Sequence, residues 1–236
     1  ASDPHFRRDG RMCSRYALIS PGEAVARVLG TTNALVYPPR YNIAPSEPVM
    51  IVRLDHRGAR EQALVRWGFV PGWVKDPGEL GLIFNARAET AADKPSFRGA
   101  MRHRRCLVPF DGYYDWTGER GRKQAFLIRP RGEGPYAFAG LWEGWLGADG
   151  SEIETMAIMT TTANQEAGRI GARMPVIVAP AAFADWLDMR QHGPAGIAHL
   201  LGPAGDGTLE VEEVSRRVND PRAEGPGLWS PPEAGS

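Results

Sequence analysis

Between Val49 and Thr162 the chain contains the runs VMIVRL, QALVRWGFV, RRCLVPF, GYYDW, QAFLIR, YAFAGLWEGWL and IETMAIMTTT, each short and rich in β-branched and aromatic residues. Such side chains fill a pleated, half-buried surface, so this stretch must pair as strands. Two junctions read as hairpins: TGERG (117–121) joins GYYDW to QAFLIR, and GADGS (147–151) carries the Asp-Gly pair of a tight turn. Helical text is sparse. SPGEAVARVLG predicts a short helix with Ser20 as N-cap, Pro21 in the first turn, Ala24, Val25, Val28 and Leu29 on one face, and Gly30 as the stop. A second helix is expected from Ala181 to Met189, with Phe183, Trp186 and Leu187 inward.

Prolines mark the rest. Four of them between 38 and 48 in YPPRYNIAPSEPV predict an extended, turning path, a rigid loop able to line a site. The Pro/Gly-rich tail from Pro221 is expected to be irregular. No repeat or long linker divides the chain. The expected architecture is a single α+β domain: a strongly bent antiparallel β-sheet with a barrel-like core and a few peripheral helices. Its expected boundaries are an N-terminal extension at 1–11, the domain at 12–228 and an irregular tail at 229–236.

Composition excludes several classes. The 236 residues hold no apolar run near the roughly 18 needed to cross a bilayer, and ASDPHFRRDGRM has no apolar segment of a secretory signal. Cys13 and Cys106 allow one bridge at most, and there is no CxxC, HExxH or paired Cys/His spacing. The expectation is a cytoplasmic, monomeric protein without metal or cofactor. Charge is balanced overall but not along the chain: residues 1–130 carry 21 Lys+Arg against 13 Asp+Glu, and residues 131–236 carry 7 against 15. The front half is suited to an anion, most densely at RGAMRHRR (98–105), which alone would equally be a solvated charged face.

MCSRY (12–16), FNARAET (84–90), DGYYDW (111–116) and RMP (173–175) place polar or reactive residues inside apolar strand text, where they must be satisfied or used. Each alone has an ordinary explanation. A lone Cys13 or Cys106 is usually a small buried hydrophobe; Asn85 and Asp115 can bond to backbone; Arg15, Arg87 and Arg173 can be ion-pair members.

Taken together, MCSRY, RYNIAPSEP, VRWGFVPGWVKD, FNARAETAADKPSFR, RRCLVPFDGYYDW, KQAFLIR, FAGLWEGW, TTTAN and RMPVIV, in this order and spacing, resemble the SOS-response-associated peptidase (SRAP) family of abasic-site processing proteins over about residues 12–228. The resemblance implies binding to single-stranded DNA containing abasic sites. It also implies loss of the initiating methionine, so that an N-terminal cysteine offers an α-amine and a thiol to the aldehyde and closes a thiazolidine crosslink. By position it assigns Cys13 as nucleophile, Asn85 as the amide holding that residue or the opened sugar, and Asp115 as proton shuttle for imine formation and for release of the blocking residues. Arg15, Arg87 and Arg173 become phosphate contacts, and Pro45 and Trp73 fill the gap beside the lesion or stack on a base.

Four positions depart from the family pattern. Twelve residues precede Cys13, and an internal cysteine has no α-amine, so either the chain starts at Met12, the expectation here, or the leader is cleaved. Ser14 replaces a glycine. Asp115 replaces a glutamate, one methylene or about 1.5 Å longer. Gly171 stands where the family has a histidine, implying that crosslinking is kept and its reversal impaired. The competing reading is a non-covalent single-stranded DNA binder with a vestigial site. A general peptidase has less support because no Cys/His dyad is visible; proteolysis is expected only as self-cleavage ahead of Cys13.

Overall fold

The aromatic and β-branched runs build two sheets that share one core. The computed structural model describes residues 13–119 and 122–232. Along the chain lie β1 (Tyr16–Leu18), α1 (Gly22–Leu29), β2 (Arg40–Ile43), β3 (Pro48–Leu54), β4 (Arg60–Trp67), β5 (Asn85–Arg87), α2 (Arg98–His103), β6 (Arg105–Phe110) and β7 (Gly112–Thr117). They are followed by β8 (Gln124–Pro130), β9 (Tyr136–Leu146), β10 (Glu152–Thr162), β11 (Arg173–Pro175), β12 (Ile177–Val178), α3 (Phe183–Leu187) and β13 (Leu209–Val214). One sheet runs β13-β8-β7-β1-β2. In the other, β10-β4-β3-β6-β9 returns to β10, closing a five-stranded barrel, with β5, β11 and β12 added at its margins.

The bent, barrel-like α+β domain expected from the sequence is therefore present. Its hairpins fall where the turn residues put them: β7 and β8 pair Thr117 with Gln124, and β9 and β10 pair Leu146 with Glu152 around Gly150 at φ 84°. Most pairings are antiparallel, but β10 also runs parallel to β4 and to β5. No alternation in the text announces this, because β10 is buried on both faces from Thr155 to Thr161. β6 is likewise buried at all six positions. At the centre Tyr16 meets Trp67 edge-on at 5.3 Å, and Phe110 stacks on Phe138 at 3.6 Å. Each such fully buried large side chain contributes about 1.5–3 kcal/mol of transfer free energy.

Several local expectations are corrected. Pro21, not Ser20, occupies the N-cap of α1; Ser20 instead binds the Asp111 carboxylate through both its amide and its hydroxyl. Val28 is 42% exposed, so the buried stripe is Gly22, Val25 and Leu29, while Gly30 ends the helix in the left-handed region as predicted. The proline-rich loop contains β2, whose edge position suits a strand hemmed by prolines. The helix expected at 181–189 is a 3-10 turn at Pro180–Ala182 followed by the short α3, with Phe183, Trp186 and Leu187 buried.

The basic run 98–105 divides. Arg98, Arg102 and His103 face outward on α2, Arg104 pairs with Glu143, and Arg105 is wholly buried. Arg105 donates to the carbonyls of Trp186 (2.6 Å), Met101 (3.0 Å), Asp188 (3.3 Å) and His192 (2.7 Å), tying α2 and α3 to β6. Part of this run is therefore a structural tie rather than an anion surface. The tail forms a 3-10 turn at Pro226–Trp229, where Trp229 packs edge-on against Tyr41 and donates to the Tyr114 hydroxyl at 2.8 Å. Residues 1–11, Met12, Arg120 and Gly121 of the TGERG turn, and the last four residues lie outside the described residues.

Candidate active site

Strand pairing brings the candidate residues together. β1 pairs antiparallel with β7 through Tyr16–Tyr113, and the Tyr114 amide donates to the Arg15 carbonyl at 3.0 Å, so the chain ahead of β1 runs beside Asp115. β5 pairs with β10 through Asn85–Ile158, which sets the Asn85 side chain against the start of the described chain. Asn85 Nδ2 donates to the Cys13 carbonyl at 2.9 Å. Cys13, Asn85 and Asp115 thus converge, although 72 positions separate the first two.

Electrostatics favour neutral groups here. Cys13 is 4% exposed, and its sulfur lies 3.8 Å from the Arg15 carbonyl. Burial, and then the charge of Asp115, push its thiol well above the ordinary range. Asp115 is 6% exposed, and its Oδ1 accepts from the Trp116 amide at 2.8 Å. The Tyr16 and Tyr113 hydroxyls are also pushed far up, first by burial, then by Tyr37 and Cys13 for Tyr16 and by Cys13 and Asp115 for Tyr113. They stay protonated, and neither these two hydroxyls nor Asn85 Oδ1 has a hydrogen-bond partner among the described residues. Buried polar atoms left in this way call for an explanation. The sequence reading passed over both tyrosines, because aromatics in a strand read as core.

The candidate arginines are not equivalent. Arg173 forks onto Glu89, with Nη1–Oε1 at 3.1 Å and Nη2–Oε2 at 2.8 Å, and also donates to the Thr160 carbonyl at 2.7 Å. Those hydrogen bonds hold the Glu89 carboxyl below its usual range. Arg15 is half-buried and donates to Asn42 Oδ1 at 3.0 Å and to the Val218 carbonyl at 2.9 Å. Arg87 is exposed at the end of β5. Pro45 is half-buried beside Ser46, which adopts φ 82° between β2 and β3. Trp73 stands 66% exposed in the loop after β4. Glu89, two residues after Arg87, was not singled out from the sequence, and its role is visible only once Arg173 is seen against it.

Gly171 packs against the Asp115 carboxyl group. It is buried after the turn at Ala167–Arg169, and a Cβ placed there would overlap Asp115 Oδ2 and lie 3.3 Å from its Cγ. Among the described residues there is no group of three or more His, Cys, Asp and Glu able to hold a metal, and no helix is long and apolar enough to cross a membrane.

A five-stranded barrel with a flanking sheet thus brings Cys13, Asn85 and Asp115 together. Residues 12–221 match the family described as SOS response associated peptidase (SRAP), and the chain belongs to that family. It is 34% identical over 221 residues to the abasic site processing protein YoqW of Bacillus subtilis, covering 92% of this chain and 98% of that protein. It is 30% identical over 233 residues to YedK of Escherichia coli, covering 93% and 100%. With HMCES of Gallus gallus it shares 30% over 230 residues, covering 84% and 68%. A crystal structure of a protein from Bacteroides thetaiotaomicron superposes with a TM-score of 0.82 at 26% identity, covering 93% of this chain and 99% of that one.

Proposed function

We propose that this chain binds single-stranded DNA at an abasic site and, once Cys13 is its first residue, links itself covalently to the lesion. The observation that carries this reading is the Asn85–Cys13 hydrogen bond at 2.9 Å, which fixes the backbone of a reactive residue beside a buried carboxylate. The α-amine of Cys13 adds to the aldehyde carbon of the opened sugar, and the carbinolamine loses water to give an imine. The Cys13 sulfur then adds to the imine carbon while its proton passes to nitrogen, closing a five-membered ring with net loss of one water. Asp115 carries protons between these atoms. Asn85 holds the carbonyl so that amine and thiol face one carbon.

The thiol's burial suits this order of events. A sulfur kept protonated does not compete with the amine for the aldehyde and reacts after the imine has formed. Removal of the residues before Cys13, by self-cleavage in which Asp115 moves the proton or by loss of Met12 alone, is part of the proposal, because an internal residue has no α-amine. Arg15, Arg87 and Arg173 hold flanking phosphates, and Pro45 and Trp73 fill the gap or stack on a base, a mode that reads little sequence. The burial of Cys13 also favours one competing reading, a non-covalent single-stranded DNA binder.

Intact-mass spectrometry of the protein made from Met12, after incubation with a single-stranded oligonucleotide carrying one abasic site, separates the two. The expected product lacks Met12 and is heavier by the oligonucleotide less one water, and Cys13→Ala abolishes it. Mature protein that shifts the oligonucleotide in a native gel yet forms no adduct establishes the binder instead.

A further inference from the structure

We propose that Gly171 is a positioning residue for Asp115: the absent side chain at 171 is the seat in which the Asp115 carboxylate lies, and the two residues act as one unit. A glycine can answer a backbone demand, as the exposed Gly30 does at φ 70°. Gly171 answers none, because it is not among the glycines with positive φ, and its amide makes an ordinary bond to the Ala167 carbonyl at 3.0 Å. What forbids a larger residue is one neighbour. All three of the nearest atoms to a Cβ at 171 belong to the Asp115 carboxyl group, and the nearest, Oδ2, would be overlapped outright.

The consequence concerns placement rather than folding. The obstructing atoms are the end of a side chain, so a methyl at 171 is accommodated by turning the carboxylate away, at the expense of its position beside Cys13 and of the Oδ1 contact with the Trp116 amide. The shorter Asp115 and the bare Gly171 are therefore matched: the carboxylate reaches its place by leaning over a backbone that has nothing in the way. The charge of Asp115 also acts on the Cys13 thiol, adding to the upward push of burial. The adduct readout of this inference rests on the function proposed above; the seating itself does not.

Two measurements on Gly171→Ala test it. On the full chain, the pH midpoint for alkylation of Cys13, assigned by peptide mass to separate it from Cys106, is expected to fall, in the same direction as in Asp115→Asn. On protein made from Met12, the rate of adduct formation with the abasic oligonucleotide is expected to drop about 10- to 100-fold. In Asp115→Ser, whose shorter side chain leaves the seat empty, adding Gly171→Ala is expected to change neither rate nor melting temperature. An unchanged midpoint and rate in Gly171→Ala overturns the proposal, as does an equal loss from Gly171→Ala in the Asp115→Ser background. If Gly171→Ala alone fails to fold, recovery of folding in Asp115→Ser/Gly171→Ala supports the seat and failure to recover refutes it. Parent protein that forms no adduct, while both substitutions still lower the alkylation midpoint, sinks the function and leaves the seat standing.

Discussion

Asn85, at the start of β5, donates its side-chain amide to the carbonyl of Cys13 at 2.9 Å, while its own Oδ1 is buried without a partner among the described residues. One half of the amide therefore holds the protein; under the function proposed above, the other half accepts from a bound sugar hydroxyl or from the Cys13 amine. Asn85→Asp keeps the size and removes the donor, placing a carboxylate against a carbonyl. We expect adduct formation to fall at least about 100-fold, and the melting temperature to drop by more than the loss of one hydrogen bond of about 1 kcal/mol would cause, because the carboxylate faces a carbonyl. Adduct rates within a factor of two of the parent would remove Asn85 from the site.

Arg87→Ala and Glu89→Gln give opposite expectations for DNA affinity. Arg87 is exposed, so Arg87→Ala should weaken binding to all sequences alike and reduce the slope of log affinity against log salt by about 1. Arg173 is held by Glu89, so a phosphate must displace a carboxylate to reach it. Glu89→Gln weakens that competitor and should tighten binding several-fold. Fluorescence anisotropy across a salt series checks both, and weaker binding by Glu89→Gln would show that the pair orders the surface rather than masks it.

How much of this was legible in the sequence depends on whether the cause was local. Gly30 as a helix stop and Asp149-Gly150 as a hairpin are statements about single φ angles, and both hold. Ser20 misled because its partner, Asp111, is 91 positions away. Cys13, Asn85 and Asp115 were found as family positions, but nothing local tells that β5 lies parallel to β10 or that Gly171 faces Asp115. Arg105 misled in the same way, since text cannot distinguish a solvated arginine from one surrounded by carbonyls.

That arginine yields a stability prediction independent of DNA. Four carbonyls accept from the Arg105 guanidinium, and Trp186 lies beneath it with Cζ 5.4 Å from the ring. Lysine keeps the charge but is a point donor that cannot serve carbonyls on α2, α3 and the following turn together. Arg105→Lys is expected to cost about 3 kcal/mol or more and to lower the melting temperature by about 6–12 °C. A shift under 2 °C by calorimetry would mean that water replaces the fork without loss.

The two buried thiols predict a loss of stability at alkaline pH. Cys13 and Cys106 are both pushed far up, in each case chiefly by burial. In the unfolded chain a thiol ionises near pH 8.5, whereas in the folded chain both stay protonated well beyond it. Above about pH 8.5 the unfolded state therefore binds fewer protons than the folded state, and stability falls as pH rises, by up to about 1.4 kcal/mol per thiol per pH unit. Below that pH both states are protonated and the contribution is constant. Urea unfolding of the full chain under reducing conditions between pH 7 and 9.5 should show this decline, with about half the slope in Cys13→Ala and little left in Cys13→Ala/Cys106→Ala. The comparison is of slopes, so the cavity each substitution leaves does not enter. A slope unaffected by removing both cysteines would place the alkaline transition on other groups and would mean that neither thiol resists ionisation in the folded protein.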